Sequence, residues 1–132
     1  MLDLSDNWLQ KASENLEAAS SELASQRYNS CANRAYYATF QAAIWALTHE
    51  GIRPPRQDRY WGHDFVQAQF AGQLVNRRKV YAPSLRSALT DLYKLRVQAD
   101  YETTMVDEIR AYRAVRKARE LVQAVLERSK KP

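Results

Sequence analysis

At 132 residues and 15.3 kDa, the chain is long enough to bury one hydrophobic core without disulfides or metal. Three Gly and four Pro are too few for the turns of a sandwich or barrel, and 45% hydrophobic against 27% charged residues excludes a disordered chain. The net charge of +5 is uneven: residues 1–26 carry −4 and residues 51–96 carry +6, so phosphate polyanions are weighed first as partners, against a merely solvated basic surface.

A first helix is expected from about Ser5 to Ser25, because Trp8, Ala12, Leu16, Ala19 and Leu23 recur at helical steps with acids opposite. Asn29 or Ser30 suits the cap of a second helix running to His49, where Gly51 supplies a left-handed end. Between Tyr28 and Glu50 the only full charges are Arg34 and Glu50, as befits the central rod of a bundle. The stretch 51–57, with Pro54 and Pro55, is a stiff basic loop carrying Arg53 and Arg56. A third helix from Asp64 to Val75 buries Phe65 or Val66, Phe70 and Leu74, and a second basic loop follows with Arg77, Arg78 and Lys79. Pro83 stands near the start of a fourth helix with Leu85, Leu89, Leu92 and Leu95 or Arg96 inward, ending near Asp100 and Tyr101. Thr104 and Asp107 resemble a capping box for a fifth helix, striped by Ile109, Tyr112, Val115, Ala118, Val122 and Val125 to about Arg128. Short connections make successive long helices antiparallel, so the expected fold is all-α: one domain over residues 1–132, an up-and-down helical bundle of four main helices plus a shorter one.

A lone cysteine, Cys31, excludes an internal disulfide, and Cys31, His49 and His63 match no zinc spacing, so neither a metal nor another cofactor is expected. A reducing cytoplasm suits this chain. Asp3 and Asp6 argue against a signal peptide, and the apolar run Ala35–Leu47 is too short for a membrane span.

On the second helix Ser30, Arg34, Tyr37 and Gln41 recur at steps of four, three and four, a polar ridge on an otherwise apolar rod. Burying Arg34 unpaired is costly, so it either meets an acid, Asp100 or one from the first helix, or lines a surface built for an anion. Tyr37 on the ridge can stack on a base, whereas Tyr36 reads as core packing with its hydroxyl bonded at the edge. Trp61 suits either a base clamp or a cover for the bundle's end.

The segment Asn33-Arg-Ala-Tyr-Tyr-Ala-Thr-Phe-Gln-Ala-Ala43 resembles the central-helix signature of HEPN domains, and Arg96-Val-Gln-Ala-Asp-Tyr101 resembles that family's second landmark. The resemblance implies a small helical bundle, often a homodimer whose central helices form a shared RNA site. Many members are metal-independent ribonuclease toxins encoded beside a nucleotidyltransferase, and others only bind. The family's catalytic pair is an Arg and a His separated by four to six residues. By resemblance Arg34 takes the Arg role and Gln41 the His position, two turns along the same face. Gln does not titrate, so it cannot relay a proton from a ribose hydroxyl, and neither His49 nor His63 fits the motif. The expectation is therefore a non-catalytic or weakly active module that binds RNA, a nucleotide or a nucleotidyltransferase partner. Its contacts are Ser30, Arg34, Tyr37, Arg53, Arg56, Arg77, Arg78 and Lys79, and an active ribonuclease or a structural adaptor is the competing function.

Overall fold

The computed structural model describes residues 6–55 and 60–131. Among them stand five α-helices and no strand: α1 (Asp6–Ala24), α2 (Tyr28–His49), α3 (His63–Gln69), α4 (Ala88–Tyr101) and α5 (Glu108–Ser129). The all-α bundle expected from the sequence is therefore the observed fold. Cross-helix bonds set its directions. Asp100 meets Asn33, Glu50 meets Arg128, and Val106 meets Asn29, so α4 runs antiparallel to α2 and α5 parallel to it. No described helix is long and apolar enough to cross a membrane.

Composition explains why α2 is the axis. Thirteen of its 22 residues are buried, so only a narrow strip escapes packing against α1, α4 and α5. Six of the buried positions are Ala, and with Ala12 and Ala19 of α1 they let neighbouring backbones approach closely. Thr39 is fully buried within α2 and spends its hydroxyl on the Tyr36 carbonyl at 2.7 Å. The helix ends as expected: Gly51 takes φ 81° and the Ile52 N–H donates to the Leu47 carbonyl at 2.8 Å, closing a left-handed cap.

Several local expectations are corrected. The first helix is described from Asp6 to Ala24, its expected start at Ser5 lying outside the described residues. Neither Asn29 nor Ser30 caps α2, which begins at Tyr28; Asn29 instead accepts the Val106 N–H at 3.0 Å and so ties the start of α2 to the entry of α5. The third helix continues past Gln69 as a π-helix, Phe70–Arg77, whose wider turn sends Phe70, Leu74 and Val75 all inward. Pro83 opens only a 3₁₀ turn to Leu85, and α4 begins at Ala88. Asp107 is itself the N-cap of α5, accepting the Arg110 N–H at 2.8 Å, so no Thr104 capping box forms. Ile109 and Tyr112 are exposed, because Ala111 and Ala114 take the inward positions of that first stretch.

Candidate nucleic-acid interface

The ridge of α2 is the strip that packing leaves open. Ser30 and Arg34 are exposed, while Tyr37 and Gln41 are half-buried at its edges. Asn15 of α1 stands between Arg34 and Gln41. Arg34 Nη1 donates to Asn15 Oδ1 at 3.4 Å, and Asn15 Nδ2 donates to Gln41 Oε1 at 2.8 Å. Since a guanidinium only donates, the Asn15 oxygen has to face it, which turns the amide nitrogen toward Gln41. Gln41 thus already uses an acceptor within the fold, and its remaining amide hydrogens are donors.

Among the described residues no carboxylate pairs with Arg34. The expected partner, Asp100, is occupied: it accepts from Asn33 Nδ2 at 2.9 Å and from Arg96 Nη1 at 3.3 Å. In place of the expected acid, Arg34 meets the Asn15 amide and stays exposed.

Arg96, not Leu95, is the residue that α4 turns inward, and it is 7% exposed. Its guanidinium lies over four rings, Tyr36, Tyr37, Tyr93 and Tyr101, at 5.2–5.8 Å from their centroids. Burial pulls its pKa down, but Tyr37, Tyr101 and Asp100 outweigh burial and raise it, so the group stays charged. The two stretches of sequence that carry the family resemblance therefore meet in space, with Asn33, Tyr36 and Tyr37 closing around Arg96 and Asp100.

Tyr36 is the centre of this packing, fully buried and edge-on to Tyr37 and Tyr93. Its hydroxyl lies 2.6 Å from His63 Nδ1 and accepts from Gln67 Nε2 at 3.3 Å. Burial pushes the Tyr36 phenol up to about 12, so it stays protonated, and donating to His63 Nδ1 is the role that leaves its buried hydrogen bonded. Sequence spacing gave no reason to place His63 near the ridge, yet its ring is 4.9 Å from Phe40 and 6.3 Å from Tyr37. Burial first, then the Arg96 charge, lower its pKa below the usual 6.5, against an opposing pull from Asp64.

The sign of the pH effect follows. The imidazole of the unfolded chain takes a proton before the folded one does, so acid favours unfolding. Stability should fall as pH drops below about 6.5 and level off beneath the folded pKa, and His63→Gln should flatten that segment. Urea denaturation at a series of pH values checks both statements. A slope unchanged by the substitution would count against this role for His63.

Comparison with protein families matches residues 5–129 to the HEPN domain. The chain belongs to this family. No curated protein matches it. Within this HEPN domain the remaining expected contacts lie elsewhere. Arg53, Arg77, Arg78 and Lys79 cluster where α2 ends, about 24 Å from Arg34 along the helix axis at 1.5 Å per residue. Arg56 lies outside the described residues. Arg78 is occupied structurally, donating to the Glu50 carbonyl at 2.8 Å, where a cation also offsets the negative end of α2. Trp61 is half-buried and tilted against Phe65 at 6.1 Å, part of the packing around α3.

One basic surface of this HEPN domain was missed from sequence. Arg113, Arg116, Lys117 and Glu120 of α5 line a surface groove of about 280 Å³. The signal was present in the cations at 110, 113 and 117, at steps of three and four, but the apolar stripe of the same helix drew the reading to the core. His49 is stacked on Trp45 at 4.6 Å and stands at the far end of α2 from Arg34.

Proposed function

We propose that this HEPN protein is an RNA- or nucleotide-binding module with little or no cleavage of its own. It works as a cytoplasmic homodimer joined along the ridge of α2, in a toxin–antitoxin-like pair with a nucleotidyltransferase. The observation that carries the reading is Arg34. An exposed guanidinium on the central helix, steadied by an amide rather than neutralised by a carboxylate, keeps its planar fork available for phosphate. Gln41 beside it cannot take a proton from a ribose hydroxyl. The nucleotidyltransferase partner rests on the family resemblance, and finding a neighbouring gene of that kind would support it. Sedimentation of a strict monomer would remove the dimer.

Binding should be electrostatic. If roughly four phosphates of a single strand are contacted, log affinity falls with log salt at a slope of about −3. Arg34→Ala, and separately Arg77→Ala with Lys79→Ala, should weaken binding and flatten the slope; Arg78 is spared because it holds the end of α2. Fluorescence anisotropy on a labelled RNA at several salt concentrations measures this. A slope near zero, or affinity indifferent to Arg34, would sink the reading.

A second reading, an active ribonuclease, is favoured by the imidazole of His63 standing beside Tyr37. It requires metal-independent cleavage by the unaltered chain that is lost in His63→Gln.

A further inference from the structure

One cavity among the described residues is lined without Arg34. About 380 Å³ in volume, it opens between the Pro54–Pro55 loop, the start of α3 and Tyr93 of α4. That is within the size range of small-molecule sites and ample for a nucleoside. Its walls carry flat groups: Pro54, Pro55, Tyr60, Phe65 and Tyr93. Every nucleobase has a π-face that such walls accept, so they give affinity without choice.

Choice comes from two polar groups. Asp64 lines the cavity with a carboxylate that only accepts, through two oxygens. His63 supplies a donor in the tautomer that gives the Tyr36 hydrogen an acceptor. Gln67 donates to the Tyr36 oxygen, the Tyr36 hydroxyl donates to His63 Nδ1, and the ring hydrogen is left on Nε2. Asp64 and His63, consecutive at the start of α3, thus bring two acceptor positions and a donor to the lining of one cavity. A guanine edge is complementary, with N1–H and N2–H facing the carboxylate and O6 taking the imidazole hydrogen. An adenine edge sets its N1 lone pair against the carboxylate, and a pyrimidine fills less of the volume.

We propose that this cavity is a purine-base subsite that selects guanine, with Asp64 and His63 reading the base edge and Tyr60 and Tyr93 flanking its faces. The subsite rests on the RNA- or nucleotide-binding reading for its ligand class. It adds a base preference that the backbone contacts at Arg34 do not supply.

The test is titration of the full chain with guanosine, adenosine and uridine 5′-monophosphates, followed by the ¹H–¹⁵N shifts of residues 60–65 and 93. All three carry the same phosphate, so differences among them report the base. Guanosine monophosphate should bind at least about tenfold more tightly than the others. Asp64→Asn should abolish that preference, and Tyr60→Ala should weaken guanosine binding about tenfold. Tyr60 is 68% exposed and Asp64 is exposed, so neither change touches the core. Equal binding of the three nucleotides, shifts confined to other residues, or a preference that survives Asp64→Asn would overturn the subsite. Arg34→Ala separates the two readings: it should weaken RNA binding and leave the preference for guanosine over adenosine monophosphate unchanged. RNA binding that depends on Arg34 with no guanine preference refutes the subsite alone, and guanine binding without Arg34-dependent RNA affinity refutes the ridge alone.

Discussion

Gln41→His should turn the protein into a metal-independent ribonuclease, cutting RNA on the order of 10²–10⁴ faster than the unaltered chain, whose own cleavage should be negligible. Residue 41 stands two turns from Arg34 on the same strip of α2, and both reach the same Asn15. What the strip lacks is a group that titrates near neutrality, since an amide neither takes nor gives a proton there. An imidazole at position 41 supplies one. The Asn15 amide nitrogen, which now donates to Gln41, is placed to orient the new ring. Arg34→Ala in the same chain should remove the gained activity, because the developing phosphate charge then loses its guanidinium. A fluorescently quenched RNA, assayed with excess chelator, follows all three proteins. Vigorous Arg34-dependent cleavage by the unaltered chain would show that Gln41 is not where the chemistry fails.

Arg96→Ala should destabilise the fold by about 3 kcal/mol, equivalent to a fall in Tm on the order of 10 °C for a domain of this size. The guanidinium fills the space between Tyr36, Tyr37, Tyr93 and Tyr101 and neutralises Asp100. Its removal leaves a carboxylate without its cation and four rings without their contact, so packing and charge are lost together. Arg96→Lys should recover only part of the loss, because a compact ammonium cannot lie flat across several rings. Asp100→Asn should cost less, since the amide still accepts from Asn33 and the rings still hold the guanidinium. Urea denaturation of the four proteins ranks them. A loss below about 1 kcal/mol for Arg96→Ala would show that the charge is held at a cost the rings do not offset.

Much of the architecture was legible from the chain because it is written locally. The steps of three and four that align Trp8, Ala12, Leu16, Ala19 and Leu23, or Val115, Ala118, Val122 and Val125, are a property of one helix and need no partner to be read. The same holds for Gly51, whose left-handed φ follows from its place after an apolar run. The ridge of Ser30, Arg34, Tyr37 and Gln41 was equally visible, as was the mismatch of Gln41 with the family's His.

What a side chain meets across helices was not visible in that way. Periodicity left Leu95 and Arg96 equivalent, and only the ring cage built from α2 and α4 makes the cation the buried one. That choice decides Asp100 as well: once Arg96 holds it, Arg34 is left with Asn15, sixty-seven residues of separation having brought Asn33 to the same carboxylate. His63 is the clearest case. It sits outside every motif spacing, yet the descent of α3 along α2 seats its ring on Phe40 and its Nδ1 on the Tyr36 hydroxyl. Sequence alone determined the helices, their order and the polar strip on the central one, because helical periodicity is a short-range property. Tertiary structure alone decided which cation is buried, which is free and where the imidazole stands, because those depend on distances between segments that no local pattern encodes.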